Sequence, residues 1–111
     1  MKKTIILLIS VLFAGAVSVA QTTTVKIHTS AVCETCKETI EKDLSFEKGV
    51  KSAVLDLDSK DVTVEYDSTK TTAIKIRLRI SKIGYDADDV KRDPKGYKRL
   101  PACCKQADCK H

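Results

Sequence analysis

The residues of this 111-residue chain that can do chemistry fall in two groups: Cys33-Glu34-Thr35-Cys36, and the run Cys103-Cys104-Lys105-Gln106-Ala107-Asp108-Cys109-Lys110-His111. Two thiols three apart, where a strand feeds the first turn of a helix, can converge on one soft metal ion or on each other. At a helix start the unsatisfied N–H groups and the helix dipole favour thiolate over thiol, and thiolate is the metal-binding form. A thiolate pair suits a d10 ion that accepts low coordination, above all Cu(I) and also Hg(II); a stable Zn(II) site normally takes four ligands. The spacing alone also fits a thiol–disulfide oxidoreductase in which Cys33 attacks and Cys36 resolves, half a zinc site, or a structural disulfide. Redox catalysis is the alternative reading, because a thioredoxin-like domain usually adds an aromatic just before the pair and a proline opposite it. This chain has no Trp, and no proline before Pro94.

Adjacent cysteines rarely pair, since the ring they close is strained, so Cys103 and Cys104 must look elsewhere for partners. The partners on offer are Cys109, the Cys33 and Cys36 loop, or a metal. A single tail disulfide would staple the end of the chain and leave one tail cysteine over. Alternatively, the three thiols and His111 form a second soft-metal site, or the tail folds back to complete the coordination of Cys33 and Cys36. Such a four-coordinate, sulfur-rich site is one that Zn(II) accepts, which would weaken the preference for copper. Five cysteines cannot all be paired within one chain.

The elements that must position these groups are legible from periodicity. Residues 1–20 read as an export signal: Lys2 and Lys3, an apolar core from Ile5 to Val17, and small residues Ser18-Val19-Ala20 before Gln21. The expected location is therefore periplasmic or secreted, without membrane insertion once the signal is removed. The 91 residues that follow suffice for one small domain. Thr22 to His28 alternates as a half-buried strand, and Cys36, Ile40 and Leu44 recur at helical spacing. Ala53, Leu55 and Leu57, then Val62, Val64 and Tyr66, alternate on either side of Asp58-Ser59-Lys60, as an antiparallel hairpin does. Thr72 to Ile83 fits either period; the preceding caps and Gly84 favour helix. Ile74 and Leu78 then form an extra apolar stripe, which predicts a cover from the C-terminal segment through Tyr97 and Leu100. Tyr85 to Val90 is expected to be the last strand. Lys91 to His111 carries seven basic residues against two acidic ones and reads as a solvated, irregular, Cys-rich extension. Its one aromatic, Tyr97, gives it no stacking platform, which argues against nucleic acid.

The order βαββαβ predicts an α+β, ferredoxin-like domain over residues 21–90: a four-stranded antiparallel sheet with two helices on one face. The extension would occupy residues 91–111. Over roughly residues 23 to 90 the chain resembles the heavy-metal-associated domains of copper metallochaperones, metal-transporting P-type ATPases and the periplasmic mercury-binding protein. The resemblance rests on Cys33-x-x-Cys36, Ile40 and Leu44, Gly49-Val50, Val62-Thr63-Val64-Glu65-Tyr66-Asp67, and Ile80 followed by Gly84-Tyr85. It implies that Cys33 and Cys36 ligate the metal, that no reaction is catalysed, and that metal passes to a metal-transporting membrane protein or another thiolate domain. It also implies a monomer, with a metal-bridged dimer as the alternative. Tyr85 matches a position that faces the metal loop in many members. The chain departs from the family in having Ser30-Ala31-Val32 where Gly-Met-Thr usually stands, so the methionine that normally anchors the loop from beneath is absent. His28 is a further, weaker candidate ligand beside the loop.

Overall fold

A computed structural model describes residues 21–105, in the order β1 (Thr22–His28), α1 (Glu34–Leu44), β2 (Val50–Asp56), β3 (Asp61–Asp67), α2 (Ala73–Ile83) and α3 (Pro94–Arg99), closing on a 3-10 turn at Ala102–Cys104. The strands form one antiparallel sheet, β1-β3-β2. Ile27 stands opposite Val62, which stands opposite Leu55 on the other side. That apolar row meets Ile40 and Leu44 of α1 and Ile76 and Ile80 of α2 in one core. Cys36, Ile40 and Leu44 lie four apart and are the buried face of α1, so the second cysteine is built into the packed stripe.

The ambiguous stretch after residue 72 is helical, for the reasons its ends supply. The Thr72 hydroxyl accepts from the Lys75 N–H, and Gly84, at φ 123°, closes the helix in a conformation other residues rarely adopt. Arg79 ties α2 to α1 through Asp43 and Glu47.

Three expectations are corrected. The fourth strand is reduced to a single bridge between Ala87 and Thr29, because Asp88, at φ 54°, turns the chain so that Ala87 and Val90 pair with each other. The Asp88 carboxylate accepts from the His28 N–H at 2.9 Å while the Asp88 N–H donates to the His28 carbonyl at 2.8 Å. A side chain thus takes over a ladder bond that strand backbone would have supplied. Among the described residues, the expected cover on Ile74 and Leu78 is also absent: both side chains remain more than half exposed.

The described part of the extension is, finally, neither irregular nor simply solvated. The Asp93 carboxylate accepts from the Gly96 N–H and Pro94 sits in the first turn, an arrangement that starts α3. The Ser81 hydroxyl donates to the Lys91 carbonyl at 2.7 Å, and the Asp93 N–H donates to the Ser81 carbonyl at 3.0 Å. α3 then crosses the end of α2 glycine against glycine. A Cβ on Gly84 would lie 2.7 Å from the Gly96 backbone, and one on Gly96 would collide with the Lys82 carbonyl.

Gly96→Ala is expected to cost about 1–3 kcal/mol by overpacking backbone against backbone, read as a lower urea midpoint; Leu78→Ala, on an exposed face, should stay within about 0.5 kcal/mol of wild type. Asp88 supplies a pH test. Burial opposes its charge, but the His28 N–H and Arg77 outweigh this and hold its pKa below the usual carboxylate value. A depressed folded-state pKa means stability that is complete above the unfolded value of about 3.9 and disappears as pH falls through the folded value. Asp88→Asn keeps the turn but loses the charge. It should destabilise by about 0.5–1 kcal/mol at neutral pH, and the deficit should close as pH falls below about 4, measured as the wild-type minus variant difference in chemical unfolding.

Candidate metal centre

The loop that carries Cys33 is organised by Thr29, a buried hydroxyl residue that sequence reasoning passed over. Its N–H and its hydroxyl both donate to the Lys60 carbonyl, at 2.8 and 2.9 Å, and its hydroxyl accepts from the Ala31 N–H. A Ser/Thr turn of this kind was available as a signal in Thr29-Ser30. Ala31 is fully buried where the family usually has methionine, and the Ser30 hydroxyl accepts from the Asp86 N–H at 3.0 Å. The altered lead-in is therefore held by hydroxyl bonds to neighbouring backbone.

Cys33 is the extended residue just before α1, and the first helical bond runs from the Lys37 N–H to its carbonyl at 3.0 Å. Cys36 lies in the first turn. Their sulfurs are 3.1 Å apart, and both residues are at most 1% exposed. The extension brings two more thiols to them: Cys104 lies 3.6 Å and Cys103 3.7 Å from the Cys33 sulfur, and those two stand 4.0 Å from each other. Cys33, Cys103 and Cys104 are thus mutual neighbours within the span of one ion. Cys109 and His111 lie outside the described residues. His28 is not brought to the cluster; its ring pairs with the Asp61 carboxylate at 2.8 Å.

The electrostatics separate the two loop thiols. Burial, then the contact from Cys36, pushes Cys33 above the ordinary thiol value. Burial also opposes ionisation of Cys36, but contacts from Cys104, the Val32 backbone and Cys33 prevail and lower its pKa. Cys36 is thus the readier thiolate, in accord with its place in the first helical turn. Burial, then Cys36, pushes Cys104 well up. Tyr85, 1% exposed, packs beside the cluster, and burial followed by Cys104 and Cys36 raises its pKa strongly. Its hydroxyl is buried near those sulfurs, yet no partner meets hydrogen-bonding geometry. On the open side a recess of about 310 Å³ is lined by Ser30, Val32, Lys60, Arg92, Tyr97, Cys104 and Lys105. Its charged residues are all basic.

The family profile for the heavy-metal-associated domain matches residues 19–86. This chain belongs to the heavy-metal-associated domain family. A copper-exporting P-type ATPase of Staphylococcus aureus (strain JH9) is 39% identical over 59 residues, which is 53% of this chain and 7% of the ATPase. The chain therefore aligns with only a small part of that relative. Among solved structures, the CopZ metallochaperone is similar at 29% identity and a TM-score of 0.57, covering 59% of this chain and 98% of CopZ. Oxidized MerP from Ralstonia metallidurans CH34 is similar at 25% identity and a TM-score of 0.59, covering 61% of this chain and 96% of MerP. The ferredoxin-like arrangement is shared with these heavy-metal-associated domains. Cys103 and Cys104 lie beyond the stretch that defines the family.

An unpartnered buried hydroxyl carries a desolvation cost that its removal relieves. Tyr85→Phe is expected to raise the stability of the reduced, metal-free protein by up to about 1 kcal/mol, measured by urea unfolding; a loss of stability would show that the hydroxyl supports the thiols.

Proposed function

We propose that this protein captures a soft d10 metal ion between Cys33 and Cys36, first of all Cu(I), and delivers or sequesters it. The observation that carries the reading is the pair of sulfurs 3.1 Å apart at the N-terminus of α1. Such a site pairs soft ligands with helix-end N–H groups that stabilise their charge. The copper-exporting ATPase and the CopZ metallochaperone, to which the chain is similar, support copper over Hg(II) and Zn(II). Residues 1–20, which lie outside the described residues and read as an export signal, support a site of action outside the cytoplasm, with a metal-transporting membrane protein or another thiolate domain as acceptor.

The chemistry is ligand exchange. Each thiol gives its proton to solvent as its sulfur binds the ion. An acceptor thiolate then adds to the ion, one of the two loop cysteines leaves as thiolate, and the second follows. Nothing is oxidised or reduced, so no turnover is required of the protein.

Anaerobic titration with Cu(I), Zn(II) and Hg(II) against a competing thiol chelator tests this. Cys33→Ala/Cys36→Ala should lose tight Cu(I) binding by about a hundredfold or more, equivalent to some 2.7 kcal/mol. Unchanged Cu(I) binding in that variant would overturn the assignment.

A further inference from the structure

The extension beyond the family domain returns to the metal loop along a built path. Past the Gly84 and Gly96 crossing, Leu100 is buried, the Tyr97 hydroxyl donates to the Lys105 carbonyl at 2.6 Å, and the Cys104 N–H donates to the Pro101 carbonyl at 2.9 Å. The Arg92 guanidinium lies 3.8 Å over the centre of the Tyr97 ring and braces this post from the other side. Lys105 directly follows Cys104, so the bond from Tyr97 sets where the Cys104 sulfur comes to rest. That sulfur is buried, 3.6 Å from the Cys33 sulfur.

The spacing of Cys33 and Cys104 is too long for a disulfide and fits two ligands of one ion. A disulfide needs sulfurs about 2.05 Å apart. Three sulfurs in a plane around an ion at about 2.3 Å stand about 4.0 Å from one another, and four in a tetrahedron about 3.8 Å. Cys33 to Cys104, at 3.6 Å, falls at this scale, while Cys33 to Cys36, at 3.1 Å, is shorter and would open to it as an ion enters.

We infer that Cys104 is a third thiolate ligand, supplied by the extension to the ion held by Cys33 and Cys36. This rests on the metal-binding reading above and goes beyond it, since the ligand comes from outside the family domain. The extension occupies in advance the position that an acceptor's first thiolate would take. It also buries the loop pair, so release requires Cys104 to leave before an acceptor can enter. The protein is accordingly a retaining site, with its cargo released when the extension lifts.

The test is X-ray absorption at the copper edge on anaerobic, Cu(I)-loaded full-length protein, with ultracentrifugation establishing that the sample is monomeric. Wild type should show three sulfurs about the ion. Cys104→Ser and Cys104→Ala should show two, should release Cu(I) faster to a thiol chelator, and should retain it about tenfold or more less tightly, the scale on which substitutions around metal ligands act. Cys103→Ser should keep three. Two sulfurs in wild type, three in the Cys104 variants, or a third sulfur seen only in dimers would each overturn the inference. Loss of tight binding in Cys33→Ala/Cys36→Ala with Cys104 variants indistinguishable from wild type would sink this inference while leaving the two-cysteine reading intact. Unchanged binding in the loop variant would sink both.

Discussion

The arrangement of the sulfur cluster depends on two backbones approaching where neither has a side chain. At the end of α2, Gly84 stops the helix with a positive φ, and Gly96 of α3 lies directly against it. Any Cβ at Gly96 would strike the Lys82 carbonyl, so the crossing can be this close only with glycine. The closeness sets the line along which the chain leaves α3, hence where Leu100 enters the core and where Cys103 and Cys104 arrive. Ser81 fixes the same approach from the helix side through its hydroxyl and its carbonyl. A six-residue helix has little stability of its own. Here it is ordered by its Asp93 cap and by the surface on which it rests.

The loop pair is positioned by a different device. Cys36 is one residue of a buried helical stripe, so it is located by the packing of Ile40 and Leu44. Cys33 is outside the helix and is located by the Thr29 turn and by the bond from the Lys37 N–H to its carbonyl. One thiol is therefore set by core packing and its partner by loop hydrogen bonds. That division matches their electrostatics: Cys36 is the readier thiolate within the first turn, and Cys33 is held neutral by burial. Tyr85, from the segment after α2, fills the space next to both Cys36 and Cys104 and excludes water from that side.

Much of this was legible in the sequence because it rests on local patterns. Val25 and Ile27 against Thr24 and Lys26 announced β1, the Cys36, Ile40, Leu44 spacing announced α1, and Thr72 with Gly84 decided α2 against its own strand-like alternation. The last strand misled because alternation says nothing about a left-handed residue: Asp88 adopts φ 54° and its carboxylate replaces a ladder bond, which ends pairing after one bridge. The return of the extension was foreseen as one option, but onto Ile74 and Leu78. Apolar stripes attract the eye, whereas the actual docking surface is a pair of glycines, whose signal is the absence of a side chain. Thr29 was missed for a related reason. A threonine in a strand-to-loop transition is common, and only the Lys60 carbonyl, brought across by the β2–β3 hairpin, makes its hydroxyl decisive.

The proposed third ligand has a consequence for how a metal cargo would be handed on. Transfer between open two-thiolate sites proceeds by addition, because the ion can accept a third sulfur before losing one of the first two. Where a chain supplies that third sulfur itself, addition is blocked until an internal ligand departs, and the barrier to exchange becomes the barrier to lifting the extension. Among the described residues, the contacts that resist lifting include the burial of Leu100, the bond from Tyr97 to Lys105, the Arg92 guanidinium over the Tyr97 ring, and the short turn at Ala102–Cys104. They are individually modest, of order 1 kcal/mol for a hydrogen bond and about 1.5–3 kcal/mol for a buried leucine. On the proposed reading, a latch of that size would keep the ion from adventitious thiols while leaving the barrier to opening modest. Under the proposed reading, retention and delivery would be compatible in one small protein, because the segment that completes the site is held by contacts that an acceptor could break one at a time.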